Sequence, residues 1–237
     1  DNIRLNNASA ALSLETGGAL TVNGELNLAA GILSIKNQTL TLNGTLNATG
    51  TGTITGSANA NLIIGGTSGG NFGTIRMTAT SPNNRVRNFT LNRTGASAEA
   101  TIGNNGLEVT NLVTITDGIL RSNGNLVLIS DNSGTARVAQ ITSPADITGN
   151  LTVQRYVPAV TRRSRMLSPN VTGFTFADLK DDMFITGPGG VTNGFDASTS
   201  NGHTVYTYQE STTGGRGWKG ISNINNSLSA GVGAIAF

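Results

Sequence analysis

Between Gly18 and Gly50 apolar and polar residues alternate in short runs, and the runs come round again after twenty residues. Leu20-Thr21-Val22-Asn23-Gly24 is matched by Leu40-Thr41-Leu42-Asn43-Gly44, and Leu26-Asn27 by Leu46-Asn47. Alternation of this kind turns one side chain toward a core and the next toward solvent, which predicts strands. A fixed period near twenty residues, built of such strands and closed by Asn-Gly, predicts a β-solenoid in which each period is one coil. Asn-Gly, Thr-Gly and Gly-Gly supply corners that tolerate positive φ. The apolar pairs Leu12/Leu14, Leu20/Val22, Leu26/Leu28, Ile32/Leu33/Ile35, Leu40/Leu42, Leu46, Ile54 and Leu62/Ile63/Ile64 trace successive coils. Asn23 over Asn43 is a candidate side-chain ladder, each amide bonding the next; the other reading is two solvated turn asparagines.

The pattern loosens between Thr67 and Arg87, where Pro82 and Asn83-Asn84 suggest a loop or a longer corner. It resumes at Asn88–Asn92 and restates the opening motif through Leu107-Glu108-Val109, Leu112–Ile115, Gly118-Ile119-Leu120 and Asn125–Ile129. About seven coils stacked at ~4.8 Å would give a rod roughly 30–35 Å long. Aromatic residues mark a boundary. Residues 1–150 contain two, Phe72 and Phe89, whereas residues 151–237 contain nine. A narrow coil interior suits Leu, Ile and Val, and a compact core accepts rings. The chain is therefore all-β: a parallel solenoid over 1–148, then a small, mostly antiparallel β module over 149–237 packed on the last coil. In the module, strands are expected at Ser164–Ser168, His203–Gln209, Gly217–Ile221 and Val232–Phe237, with one helical turn at Phe176–Lys180. Asp1–Leu5 already reads as solenoid and Gly233–Phe237 stops inside an apolar strand pattern, so both ends are expected to be cut.

Composition narrows the function classes. Charged residues make up 12% of the 237, with a formal net charge of +2, so no strong attraction to nucleic acid or acidic membranes is implied. There is no cysteine, which removes disulfides and thiolate metal sites. No apolar run reaches the ~18 residues of a membrane-spanning helix, and the first residues do not form a secretion signal.

The second half carries a resemblance. The phrases LTVQRYVPA, RRSRMLSPNVTG, ITGPGG, GFDAS, TVYTYQEST, GWKGI and LSAGVGAIAF, after Thr/Asn/Gly-rich repeats, resemble large cell-surface proteins of the Bacteroidetes group. In those proteins β-solenoid repeats precede an aromatic β module and a C-terminal type IX secretion signal. The resemblance implies an exported, adhesive or fibre-building protein at the cell surface. It supplies no catalytic residues, and the sorting domain is missing from this sequence.

A glycan-cleaving β-helix needs carboxylates grouped on adjacent coils. Asp1, Glu15, Glu25, Glu99, Glu108, Asp117, Asp131 and Asp146 do not recur beside one another at the coil period, so no catalytic residue is assigned. His203 is the single histidine and sits in a turn signature before a strand. Asp178, Asp181 and Asp182 form the densest acidic cluster, a candidate for structural calcium or else solvated loop acids; no other cofactor is called. Arg155, Arg162, Arg163 and Arg165 concentrate positive charge, to bind anionic glycan or a neighbouring subunit, or to pair internally with Asp178, Asp181 and Asp182. Thr49, Thr51, Thr53 and Thr55 alternate, as hydroxyls able to order water or as ordinary strand threonines. Tyr206, Tyr208 and Trp218 alternate in strands, as core rings or as platforms for sugar.

The expected function is a non-enzymatic spacer or fibre element of a secreted surface protein, partnered by itself or by neighbouring subunits of a surface assembly. A glycan- or surface-binding adhesin module is the alternative, and a polysaccharide-degrading enzyme stands behind both.

Overall fold

The structure, a computed structural model, describes residues 1–159, 163–210 and 217–237. Its described residues divide into two units, Asp1–Val157 and Pro158–Phe237. The first is a parallel β-solenoid of about seven turns. Apolar/polar alternation becomes strands at Leu20–Val22, Thr39–Leu42, Asn61–Ile64, Arg85–Asn92, Leu107–Asp117, Leu126–Leu128 and Leu151–Val153, which neighbour one another in that order in one parallel sheet. A second sheet stacks Ile3–Ser13 on Glu25–Ser34, and Glu25–Ser34 on both Thr45–Asn47 and Thr53–Thr55. A third stacks Asn71–Ile75, Glu99–Ile102, Ile119–Arg121 and Asp146–Thr148. Leu151–Val153 pairs with Leu126–Leu128, so solenoid pairing runs past the boundary expected near residue 148.

The register makes the repeat physical. Leu20 lies against Leu40, Leu40 against Leu62, and Leu62 against Phe89, so each apolar side chain covers its counterpart one coil away. Leu26, Leu28, Leu33, Leu40, Leu62, Val86, Phe89, Val113 and Leu126 are completely shielded from water. Each such side chain contributes about 1.5–3 kcal/mol of hydrophobic free energy, and none could be buried by one coil alone.

The stretch between Thr67 and Arg87, expected as a loop or a longer corner, contains a strand and joins the stack as a coil with a longer path. Asn71–Ile75 is a strand, and Phe72, Ile75 and Met77 point into the core. Gly73 lies so close to the backbone of Leu46 that a Cβ would strike its carbonyl, which fixes this strand on Thr45–Asn47. The coil was hidden because its path is longer. Aligned side chains are separated by 20 residues at Asn23/Asn43 but by 27 at Asn61/Asn88.

The corners divide: Gly17, Gly66, Gly70, Gly106 and Gly124 take the expected positive φ, and the two Asn-Gly corners of the opening repeat do not. Gly24 and Gly44 are absent from the positive-φ residues. Their role is close approach: the carbonyl of Gly24 occupies the place a Cβ on Gly44 would need. The Asn-Gly corner is selected here for stacking, not for left-handed backbone.

The second unit is built on an antiparallel sheet in which Arg165–Leu167, Ala234–Ala236, Val205–Tyr208 and Trp218–Gly220 are neighbours in that order. A short helix, Ala177–Lys180, stands where a helical turn was expected. Phe176, Ile185, Phe195, Val205, Ile221, Ile224 and Leu228 form its core, with Phe174 edge-on to Phe176 at 6.2 Å.

Candidate binding surface

Two kinds of feature rise above ordinary packing: amide ladders on the solenoid and exposed rings on the second unit. The Asn23/Asn43 pair is a ladder, with Asn43 Nδ2 donating to Asn23 Oδ1 at 2.7 Å. A longer ladder was not foreseen. Asn61 donates to Thr39 Oγ1 at 3.2 Å, Asn88 donates to Asn61 at 2.8 Å, and Asn111 donates to Asn88 at 2.8 Å. Both ladders run along the stacking direction and join coils through neutral side chains.

Arg93 is completely shielded from water. Thr90-Leu91-Asn92-Arg93 stands in the chain as Thr41-Leu42-Asn43-Gly44 does, so an arginine replaces the corner glycine. That substitution is the sequence signal by which this residue could have been found. Its guanidinium lies 5.5 Å over the Phe72 ring, and Nη1 donates to the carbonyls of Asn43 at 3.2 Å and Gly65 at 2.9 Å. Nε and Nη2 have no hydrogen-bond partner among the described residues. Burial pulls its pKa below the ordinary guanidinium value.

Most solenoid acids are engaged locally. Glu108 meets Arg85 at 2.7 Å, Glu99 meets Arg121 at 2.6 Å, and Glu15 meets Lys36 at 3.4 Å. Glu25 accepts from Asn27, while Asp117, Asp131 and Asp146 each accept a nearby backbone N–H. None of these bonds joins two acids. Of the alternating threonines, Thr53 and Thr55 share hydroxyl contacts with Thr78 at 3.1 and 2.6 Å, so they knit coils together.

In the second unit Asp178 accepts from the backbone N–H and hydroxyl of Thr175, which holds the first turn of the short helix. Asp181 and Asp182 face solvent. No group of three or more metal-ligating acids or histidines forms among the described residues. The basic concentration is dispersed: Arg155 and Arg163 are exposed, Arg165 donates to the Pro158 carbonyl at 2.6 Å, and Arg162 lies outside the described residues. Among the described residues no ion pair links Arg155, Arg163 or Arg165 to Asp178, Asp181 or Asp182; the ion pair there is Lys180 with Asp196 at 3.8 Å.

The rings divide by strand parity. Val205 points into the core, so Tyr206 and Tyr208 point the other way. Tyr208 faces Trp218 across the strand pair, ring centroids 5.2 Å apart and inclined by 68°. Both stay solvent-exposed, Tyr208 at 53% and Trp218 at 42%, which removes them from the core role. Tyr206 is half-buried between His203 and Phe237, at 5.7 and 5.8 Å. His203 packs over Gly220, where the absence of a Cβ makes room for its ring. Compared with known proteins, the chain matches no family model, no curated protein and no solved structure.

Proposed function

We propose that this chain is a non-enzymatic structural segment of a secreted bacterial surface protein, acting as a stiff spacer or fibre element. The observation that carries the reading is the unbroken stacking of neutral ladders. Leu20, Leu40, Leu62 and Phe89 continue one another inside, while Thr39, Asn61, Asn88 and Asn111 continue one another outside. Bending such a unit opens inter-coil hydrogen bonds on one side and compresses close-packed side chains on the other, and close-packed interiors resist both. The surface location rests on the resemblance of the second half to exported surface proteins.

Stiffness has a direct test, because a chain without cysteine accepts two unique labels. Arg4→Cys and Asp146→Cys place dyes on exposed positions of the first and last coils. Six coil spacings predict a strand separation of about 30 Å. Single-molecule energy transfer is expected to give one narrow distance distribution that stays narrow as salt and viscosity change. A broad distribution would sink the spacer reading. Labelling of intact producing cells with an antibody to the chain is expected to succeed without lysis; labelling only after lysis would remove the surface half of the proposal.

A further inference from the structure

The second unit holds a groove of about 380 Å³ whose walls include Phe184, Ser198, Ser200, Thr204 and Phe237. Phe184 and Phe237 are exposed at 63% and 44%. The hydroxyl oxygens are already used as acceptors. Asn201 N–H donates to Ser198 at 3.0 Å, Gly202 N–H to Ser200 at 3.4 Å, and Thr186 N–H to Thr204 at 2.9 Å. Each of these hydroxyls therefore retains its own O–H as a donor, and no acceptor takes it among the described residues. Beside the groove the rings continue. Phe237 meets Tyr206 edge-on at 5.8 Å, and Tyr208 follows Tyr206 on the same strand face with Trp218 opposite. Met166, Tyr206 and Ile235 are aligned across that outer face, and among the described residues no charged one lines the groove or stands in these aligned outward positions.

We propose that this surface is a binding site for a neutral carbohydrate chain, with one sugar seated against Phe184 and its neighbours running along Tyr206, Tyr208 and Trp218. Pyranose rings present apolar C–H faces that stack on aromatic rings, and their oxygens accept hydrogen bonds from hydroxyl donors. Both chemistries are present side by side. An acidic glycan or a nucleic acid needs cations to offset its charge, and the described residues of the groove lining supply none. A stable protein partner needs about 800 Å² on each side, whereas the groove is the size of a sugar or two. The inference goes beyond the spacer role and does not depend on it.

The test is titration of the full chain with hexameric gluco-, xylo-, manno- and galacto-oligosaccharides, and with a hexameric polygalacturonate, read by saturation-transfer NMR and calorimetry. At least one neutral hexamer is expected to bind and the polygalacturonate is not. Phe184→Ala and Tyr208→Ala are each expected to weaken binding about tenfold. Phe184→Tyr and the solenoid variant Leu12→Ala are expected to retain it. Circular dichroism of each variant reports folding, and Phe184 and Tyr208, being exposed, are replaceable without opening the core. Binding by none of the neutral hexamers, preference for polygalacturonate, or binding undiminished in both alanine variants overturns the proposal.

Discussion

At the scale of single residues, neutral amides do the work that charged pairs do in many proteins. Asn88 is the middle rung of its ladder: it donates to Asn61 and accepts from Asn111, and it is half-buried between strands. Removing its amide leaves Asn61 Oδ1 and Asn111 Nδ2 without these partners in a confined space. Asn88→Ala is expected to destabilise the solenoid by about 1–3 kcal/mol. Asn23 lies in the first coil and is exposed, so Asn23→Ala is expected to cost less than about 0.5 kcal/mol. Urea denaturation followed by circular dichroism compares the two. Equal losses would mean that ladder position has no energetic meaning. The Asn23/Asn43 pair was legible in sequence because its period matched the visible repeat. The longer ladder was not, because its spacings of 22, 27 and 23 residues follow no single period.

At the scale of the element, the corner is what permits one coil to sit on another at strand spacing. Gly44 has no room for a side chain because the Gly24 backbone fills that space, whereas nothing lies within 4 Å of the Cβ position of Gly134. Gly44→Ala is expected to cost about 1–3 kcal/mol through forced displacement of the stacked backbone. Gly134→Ala is expected to be neutral or slightly stabilising, by up to about 1 kcal/mol, since it restricts the unfolded chain without a native clash. The same denaturation experiment ranks them, and a harmless Gly44→Ala would contradict the stacking account. Glycines at corners were visible from composition, but their physical reason was not. Sequence suggests left-handed turns, which Gly106 and Gly124 adopt, whereas at Gly24 and Gly44 contact across coils is what requires glycine.

At the scale of the whole molecule, cohesion rests on apolar burial and neutral hydrogen bonds. The ion pairs among the described residues are four, and of these Arg85–Glu108 is the most sheltered, its side chains 21% and 14% exposed. Exposed pairs contribute little and are screened by salt. Thermal transitions are therefore expected to shift by less than about 3 °C between roughly 0.05 and 0.5 M NaCl. The pH response follows from two arginines. Arg121 is raised by its hydrogen bond to Glu99 and then by that carboxylate's charge; its contribution is present below the ordinary guanidinium value and lost only as pH rises past the raised one. Arg93 is lowered by burial; its cost is present while it is charged and is relieved only as pH rises past the lowered value. Both windows lie on the alkaline side, so these two residues contribute no change in stability between pH 6 and 8. Calorimetric scans over that range check this, and a shift of about 10 °C with salt would show that charge plays a larger part than the structure assigns to it.

By itself the sequence determined the class of fold. Period and alternation are local properties, so Leu20–Gly24 and Leu40–Gly44 announce stacked parallel strands, and the rise in aromatic content announces a second core. Three things were decided only by tertiary structure, because each depends on residues whose separation no fixed period predicts. The coil through Asn71–Ile75 exists because Phe72, Ile75 and Met77 close onto the common core despite a longer path. The buried Arg93 is held by carbonyls 28 and 50 residues away and by the Phe72 ring. Tyr208 and Trp218 are outward because Val205 must fill the core, and strand parity then leaves the other face of that strand to the rings.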